Sequence, residues 1–364
     1  NGVDLIDGRA AFVDESQVRI EGAGADAADR IRFGTAIIAT GSRPMALPEF
    51  NFGEEFIMSS TDALAAAEIP DRMLTIGGGY IGMELSTVFA KLGCDVTVVE
   101  MLDSVLPTYE DDLSAVVRRR AEDLGVDFDF GTAATDWTEI KSGVLVTTET
   151  EDGDSAEYET DRVLVAIGRE PVTDTLDLSN AGVDTTKRGF IDTDKNGRTE
   201  QENIYAIGDV AGDPLLAHAA NKEGILAAQD IAGEPLDVGD WIVPEAVFTD
   251  PEIAAVGMTQ SEAEEIGFEP VVGTMPFDAS GRAMTLGETD GFVRIVASSD
   301  GGALLGAQIV GPDASELVAE LTFAIKHRAS LTDIAETIHV HPTLSEAVME
   351  AAENAMGQAI HTTN

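Results

Sequence analysis

Cysteine is nearly absent from this sequence, and basic residues are few. Cys94 is the one cysteine among 364 residues, which excludes an internal disulfide framework, a cysteine zinc site or a redox cysteine pair within them. Lys and Arg together number 22, and their one cluster is Arg118, Arg119 and Arg120, which we interpret as a solvated helix face. Because phosphate contacts depend on clustered Lys and Arg, the composition disfavours nucleic acid as a partner.

Long apolar runs are missing as well. A membrane-spanning helix needs about 18 consecutive apolar residues, and the sequence contains no such run. Its first residues also lack the basic region and apolar stretch of a signal peptide. We therefore expect a cytoplasmic protein without a membrane partner.

Acidic residues, by contrast, are abundant. The 67 Asp and Glu give a formal net charge of −45, and they are spread over every segment instead of forming one acidic block. So large a charge destabilises a compact state by self-repulsion at ordinary ionic strength, but at about 1 M salt the Debye length falls to about 3 Å. The charge therefore predicts a protein adapted to high salt.

The length and composition predict a globular protein of two or three domains. The first two thirds of the chain hold short apolar strands that end in glycine and alternate with helical stretches, which indicates an α/β architecture. From Trp241 onward strands come before helices, which is an α+β order. We therefore place a domain boundary near Asp240.

A glycine-rich turn follows the strand predicted over residues 73–76 and precedes a predicted helix. It contains Gly77, Gly79 and Gly82 in the spacing of a dinucleotide fingerprint, and the next strand ends in an acid, Glu100. Gly77 would permit the tight turn, Gly79 would let the backbone approach a pyrophosphate, and Gly82 would let the helix pack on the strand. Glu100 would accept a hydrogen bond from a ribose 2′-hydroxyl and repel a 2′-phosphate. The motif therefore favours NAD(H) over NADP(H).

Two further apolar strands end in small or acidic residues. Thr40, Gly41 and Ser42 follow one of them, and Gly208 and Asp209 follow the other. Open α/β sheets bind ligands at the carboxyl ends of their strands, so both ends are candidate cofactor sites. An Asp in such a place is also a common helix N-cap, and this alternative stays open.

Near the end of the sequence a histidine precedes a proline, and a carboxylate follows five residues later. His341 is a natural proton carrier near neutral pH, and Glu346 would fix its tautomer while the other ring nitrogen exchanges a proton with substrate. Two alternatives stay open. One is a helix-capping turn with an incidental histidine, and the other is a metal site through His339 and His341, which lacks a third nearby ligand. Cys94 is interpreted as a buried apolar residue without a catalytic role.

Taken in chain order, these motifs resemble the flavoprotein disulfide reductases, and their dihydrolipoamide dehydrogenase branch most closely. The resemblance spans essentially the whole chain and implies FAD and NAD as cofactors and no metal. On the flavin side it implies contacts by Thr40, Gly41, Ser42, Gly208, Asp209, Leu216, Ala217 and His218. In the nicotinamide domain and at its end it implies contacts by Gly77, Gly79, Tyr80, Gly82, Glu84, Glu100, Gly168 and Arg169.

The implied fold is α/β, with Rossmann-like FAD- and NAD-binding domains and a C-terminal α+β dimerisation domain. By this resemblance residues 1–69 are the remainder of an incomplete FAD domain, 70–169 the NAD domain, 170–240 the second part of the FAD or central domain, and 241–364 the dimer-interface domain. The family's own flavin fingerprint and its C-x-x-x-x-C disulfide are not in this sequence. We therefore expect the chain to begin downstream of both.

The resemblance also implies an activity, the NAD-dependent reoxidation of dihydrolipoamide to lipoamide by a homodimer. His341, oriented by Glu346 and supplied by the second subunit, would deprotonate a dihydrolipoyl thiol, and electrons would pass through FAD to NAD+. The implied partner is dihydrolipoamide itself or a lipoyl-domain protein of a 2-oxoacid dehydrogenase-type complex. Tyr80 would shield the nicotinamide pocket until NAD+ enters. The alternatives are a glutathione-type disulfide reductase and a non-catalytic nucleotide-binding scaffold.

Overall fold

The structure is a computed structural model that describes residues 2–22, 29–234 and 241–363. The domain boundary expected near Asp240 therefore falls just outside the described residues. Within these ranges no helix is long and apolar enough to cross a membrane.

The described elements follow one another along the chain as follows. The first part holds β1 (Arg9–Asp14), β2 (Gln17–Glu21), β3 (Arg30–Arg32), β4 (Ala36–Ile38), β5 (Ser42–Pro44), β6 (Ile57–Met58), α1 (Ser60–Leu64), β7 (Arg72–Ile76), α2 (Tyr80–Lys91), β8 (Asp95–Glu100), α3 (Asp111–Asp123), β9 (Asp127–Phe130), β10 (Thr132–Ile140), β11 (Gly143–Thr150), β12 (Ser155–Thr160) and β13 (Arg162–Val165). The second part holds β14 (Arg169–Pro171), α4 (Leu178–Ala181), β15 (Ile204–Ala206), α5 (Ala217–Ile231), β16 (Glu245–Val247), β17 (Glu252–Gly257), α6 (Gln260–Glu265), β18 (Pro270–Pro276), α7 (Gly281–Leu286), β19 (Phe292–Ser298), β20 (Leu304–Gly311), α8 (Ala314–Lys326), α9 (Leu331–Ala335) and α10 (Glu346–Ala355).

The described residues form two compact units. Unit 1 takes its residues from the ranges 1–45 and 169–240, and unit 2 from the ranges 46–168 and 241–364. The glycine-rich turn and the histidine–glutamate pair lie in unit 2, whereas both candidate strand ends at residues 40–42 and 208–209 lie in unit 1.

Unit 1 is built from short strands around a small core. It contains the antiparallel sheet β1-β2-β3, a parallel pair of β4 with β15, and an antiparallel pair of β5 with β14. Phe12, Ile191 and Ile204 share its core. The apolar strand predicted before Thr40 is short, since β4 covers 3 residues and Ile37 within it is 41% exposed. The parallel pairing still brings the ends of β4 and β15 to one edge.

The first sheet of unit 2 is parallel, with the strand order β6-β13-β7-β8-β9. Its central strands are apolar without alternation because both faces of the sheet are covered. Met73 and Leu164 point into one core cluster, and Leu74 and Val163 point into the other. The strand order reverses between β13 and β7, which opens a crevice at the carboxyl ends of these two strands.

Two antiparallel sheets complete unit 2. In the sheet β10-β11-β12, the middle strand alternates buried and partly exposed residues, as a sheet with one covered face requires. The other sheet has the order β16-β17-β20-β19-β18, and α8 and α10 pack on it. A Cβ atom at Gly273 in β18 would lie 2.1 Å from the Ala351 carbonyl oxygen, so glycine here lets α10 lie directly on the strand. This packing fixes the helix that begins with Glu346.

Candidate functional site

The glycine-rich turn between β7 and α2 is held by close backbone approaches. Gly77 has φ 105°, and a Cβ atom there would lie 2.6 Å from the Ala166 carbonyl oxygen. A Cβ atom at Gly82, in the first turns of α2, would lie 1.9 Å from the Gly77 carbonyl oxygen. Around Gly79, the N-cap of α2, nothing lies within 4 Å of such an atom. Gly77 and Gly82 therefore serve the packing, and Gly79 leaves open space at the helix N-terminus, where N–H groups favour a pyrophosphate.

Glu100, the last residue of β8, closes this turn from the neighbouring strand. Its Oε2 accepts the Gly78 N–H at 2.6 Å, and its Oε1 accepts the Leu102 N–H at 2.8 Å. Each carboxylate oxygen has two lone pairs, so both oxygens keep the capacity to accept a ribose hydroxyl. The two backbone bonds fix the carboxylate at the mouth of the crevice, where its negative charge disfavours a 2′-phosphate.

A cleft of about 410 Å³ opens at the carboxyl ends of β7, β8 and β13, a volume within the usual range for small-molecule sites. Gly77, Gly79, Tyr80, Glu100 and Gly168 line it, all five of which the sequence indicates as nucleotide contacts. Segments outside the motifs add lining residues that were not anticipated, namely Leu47, Pro107, Thr132, Ala133 and Ala134. The rest of the lining adjoins the expected contacts in sequence and consists of Ile76, Ile81, Val99, Met101, Leu102, Ala166 and Ile167.

Glu84, a further expected nucleotide contact, has a different neighbour. Its Oε1 accepts the Phe248 N–H at 2.8 Å, and burial raises the pKa of the Glu84 carboxyl despite this hydrogen bond. Phe248 follows β16, so Glu84 links α2, the helix after the glycine-rich turn, to the antiparallel sheet of the same unit. A sequence motif cannot indicate this link, since the two residues are 164 positions apart.

The edge of unit 1 brings two of the expected flavin contacts, Ser42 and Asp209, together beside one arginine. The Ser42 hydroxyl donates to the Asp209 carboxylate, and Arg169 donates from Nε to the Ser42 hydroxyl at 2.6 Å and from Nη2 to the Ser42 carbonyl at 2.9 Å. Gly41, between Thr40 and Ser42, has φ 70° and open space around it. Arg169 thus belongs to this polar edge of unit 1. The edge offers a carboxylate, a guanidinium group and uncrowded backbone, which fits the hydroxyls and phosphates of a flavin nucleotide.

The other expected flavin contacts follow β15. Gly208 has φ 68°, and its N–H donates to Glu223 Oε2 of α5 at 2.6 Å. Leu216 is the N-cap of α5, and Ala217 and His218 are exposed in its first turn. These residues therefore lie on elements that Glu223 ties together at the end of β15.

His341 and Glu346 form the expected pair at the start of α10. Nδ1 of His341 lies 2.9 Å from Oε1 of Glu346, and Oε2 of Glu346 accepts the Thr343 N–H at 2.8 Å. Burial raises the pKa of Glu346, but the Thr343 N–H and the His341 ring together outweigh it and leave this pKa below its usual value. The His341 side chain is 79% exposed, so its Nε2 faces outward for proton transfer. The geometry is that of a general acid–base pair.

The structure does not bring His339 and His341 together as ligands of one metal ion. His339 bonds to Glu320 on α8, whereas His341 bonds to Glu346, so the two rings serve different carboxylates. Across the described ranges no group of three His, Cys, Asp or Glu side chains is placed to hold a metal ion. Cys94 is buried, and burial, followed by nearby carboxylates, raises the pKa of its thiol to about 11. That thiol is an unreactive core side chain at neutral pH.

Comparison with known proteins identifies the family. Residues 1–224 match the pyridine nucleotide-disulphide oxidoreductase model, and residues 243–352 match the dimerisation domain of the same family. The chain belongs to the pyridine nucleotide-disulphide oxidoreductases. Two similar relatives are dihydrolipoyl dehydrogenases, from Haloferax volcanii at 60% identity and from Halobacterium salinarum at 57% identity. Each alignment covers 100% of this chain and 77% of the relative.

A solved structure agrees with the sequence matches. The HOCl-induced flavoprotein disulfide reductase RclA from Escherichia coli superposes with a TM-score of 0.88 at 27% identity, covering 97% of this chain and 80% of that one. The predicted α/β fold with a C-terminal dimerisation domain is therefore confirmed, as is the prediction of a flavin- and nicotinamide-dependent disulfide oxidoreductase. Both relatives come from halophilic archaea, in agreement with the salt adaptation that the charge predicts.

Proposed function

We propose that this chain oxidises dihydrolipoamide to lipoamide with NAD+, as an FAD-loaded homodimer. The observation that carries the proposal is the His341–Glu346 pair, which presents an exposed imidazole from the loop just before α10. The same unit holds a nucleotide cleft whose acid, Glu100, favours NAD+. The high identity to dihydrolipoyl dehydrogenases over the whole chain supports this substrate.

His341 is the proton-transfer group of the proposed reaction. Glu346 holds Nδ1 at 2.9 Å and stabilises the imidazolium, so Nε2 is the nitrogen that takes the proton from a dihydrolipoyl thiol. The resulting thiolate is the nucleophile for a redox disulfide. Cys94 takes no part in that exchange, because its thiol is buried and its pKa is raised. In the reverse direction the imidazolium returns the proton.

Unit 1 would hold FAD, and unit 2 would hold NAD+. FAD, when bound at residues of unit 1, would supply the two-electron and hydride-transfer chemistry that the side chains of this chain lack. Residues 40–42 and 208–209 would bind the flavin nucleotide through Asp209, Ser42 and the neighbouring backbone. The turn at residues 77–82 would receive the NAD+ pyrophosphate, and Glu100 would accept the ribose hydroxyl. Tyr80, at the cleft, would cover the nicotinamide pocket.

A second copy of the chain is the proposed immediate partner. Residues 243–352 form a dimerisation domain, and His341 lies within it. The exposure of the His341 ring supports its use by the active site of the other subunit. A lipoyl-domain protein of a 2-oxoacid dehydrogenase-type complex is the proposed source of the dihydrolipoamide.

Replacing His341 tests the proposal. In the flavin-loaded enzyme, His341→Gln should lower dihydrolipoamide oxidation by about 10²- to 10⁴-fold, because a general base is lost. NADH-dependent reduction of a dye should stay near wild type, since that reaction needs nucleotide and flavin but no proton transfer at sulfur. His327→Gln is the matched control, because His327 is an exposed histidine of the same unit whose ring contacts Phe323 and takes no part in the proposed reaction. Equal losses of both activities in His341→Gln would refute the assigned role.

A further inference from the structure

The loop between α9 and α10, which carries His341, turns the polar side chain of His339 inward and the apolar side chains on either side of it outward. Ile338 and Val340 are 95% and 72% exposed, whereas the His339 side chain between them is 6% exposed. Apolar side chains normally fill the inside of a loop, and a buried imidazole is costly unless it is hydrogen-bonded. The inverted arrangement indicates that His339 has a specific partner inside the domain.

Both ring nitrogens of His339 meet acceptors. Nδ1 lies 2.9 Å from the Thr337 carbonyl oxygen, and Nε2 lies 3.0 Å and 3.2 Å from the two carboxylate oxygens of Glu320. A carbonyl oxygen can only accept, so Nδ1 carries a hydrogen. The contact between Nε2 and the Glu320 carboxylate is a hydrogen bond in a mostly buried place, so both ring nitrogens of His339 have a partner.

Glu320 supplies a fixed point for this bond. It lies in the middle of α8, and its neighbour Leu321, with Val318 and Ala324, is buried in the core of the domain. The hydrogen bonds of Thr337 and Thr343 stay local, to Asp333 at one end of the loop and to Val340 and Glu346 at the other. The His339–Glu320 bond thus ties the loop to a helix that packs across the domain.

We propose that His339, held by Glu320, is a positioning residue for His341. His339 faces the core and His341 faces outward, and one residue separates them in sequence. Fixing the His339 ring therefore fixes the backbone from which His341 projects. Glu346 then orients the His341 ring about that fixed backbone. Without the Glu320 bond the exposed loop loses its link to α8, and Nε2 of His341 is spread over more positions than proton transfer allows. The proposal rests on the function proposed above.

Four variants of the flavin-loaded enzyme test this role. His339→Leu and Glu320→Leu should each lower kcat/KM for dihydrolipoamide by about ten-fold, and their double variant should lose no more than either one alone, because a single bond is removed. His339→Gln, which keeps an N–H for Glu320, should recover part of the loss. NADH-dependent dye reduction should stay within about two-fold of wild type in all four, since it bypasses His341. A role confined to stability would lower both reactions together.

The matched control is Thr259→Ala. Thr259 caps α6 in the same unit through a hydrogen bond from the Glu262 N–H, so its loss destabilises a helix far along the chain from the His341 loop. It should leave the ratio of the two activities unchanged. Equal falls in both activities for His339→Leu, or strictly additive losses in the double variant, would overturn the proposal.

Amide hydrogen exchange gives a readout that needs no substrate. Exchange in residues 338–344 should become faster in His339→Leu and Glu320→Leu, and should stay at the wild-type rate in Thr259→Ala. Unchanged exchange in the two leucine variants would overturn the positioning role. A wild-type enzyme without dihydrolipoamide turnover would instead refute the proposed substrate, and the exchange measurement would still test the loop.

Discussion

Gly82→Ala should damage both the stability and the nucleotide affinity of unit 2. The added methyl group would lie 1.9 Å from the Gly77 carbonyl oxygen and 3.1 Å from its carbonyl carbon. Both are backbone atoms, so no side chain can rotate away, and α2 must move off β7. Overpacking of this kind costs about 1–3 kcal/mol. For a unit of this size, about 2 kcal/mol lowers the melting temperature by about 4–8 °C.

The same displacement moves the helix N-terminus that faces the nucleotide. If it removes about 1.4 kcal/mol of binding free energy, NAD+ affinity falls about ten-fold. Gly79→Ala separates the two effects. Because nothing lies within 4 Å of a Cβ atom there, its melting temperature should match wild type. Its nucleotide affinity should still fall, since the methyl group would occupy the approach of the pyrophosphate.

Melting in molar KCl and titration with NADH give the two quantities. Gly281→Ala is the control for adding a methyl group to a helix. Gly281 opens α7 with a negative φ and has no atom within 4 Å of a Cβ position, so alanine there should be neutral or slightly stabilising. A Gly82→Ala variant with wild-type melting temperature and wild-type NADH affinity would refute the packing role given to this glycine.

Three further predictions concern charge. Glu100→Gln should weaken NADH binding by about ten-fold and narrow the preference for NADH over NADPH. The amide has only one oxygen, so it cannot accept both the Gly78 and the Leu102 N–H as the two carboxylate oxygens do. An unchanged ratio of NADH to NADPH affinity would contradict this prediction. Lowering KCl from about 3 M to about 0.1 M should lower the melting temperature or dissociate the protein, since a net charge of −45 is then poorly screened; equal melting in both salts would remove the halophilic interpretation. The hydrogen bond from Arg72 lowers the pKa of Asp161 below its usual 3.8, so this group stabilises the fold above that pH and the contribution is lost as pH falls through the lowered value. Asp161→Asn should thus lower the free energy of unfolding, measured in urea at neutral pH, by about 1 kcal/mol. If the variant lost the same free energy at a pH well below 3.8, the Arg72–Asp161 pair would not be the cause.

The regular elements around the nucleotide turn could be predicted from sequence alone. The strand predicted over residues 73–76, the helix predicted after the glycine turn and the strand predicted to end at Glu100 are found as β7, α2 and β8. Local patterns decide these elements, since a continuous apolar strand, a glycine turn and a helical period lie next to one another. The strands β17 and β18 were not anticipated, because small residues and glycine weaken the apolar pattern over residues 252–257 and 270–276.

The parts of the candidate sites that lie within one sequence motif could be predicted from the sequence. His341 with Glu346 lies within six residues, so one turn of chain brings the pair together. The link from Glu84 to Phe248 and the link from His339 to Glu320 depend on the packing of separate elements. A motif holds no information on such partners. The position of Arg169 illustrates the same limit, because β14 pairs with β5 and places that side chain against Ser42.

The most direct test of the proposed function is the rate of NADH formation by the flavin-loaded wild-type enzyme in molar KCl, with dihydrolipoamide as the reductant. We expect rapid NADH formation with NAD+, little turnover with NADP+, and no turnover with reduced glutathione in place of dihydrolipoamide. Turnover with glutathione and NADP+ that exceeds the rate with dihydrolipoamide and NAD+ would contradict the assignment.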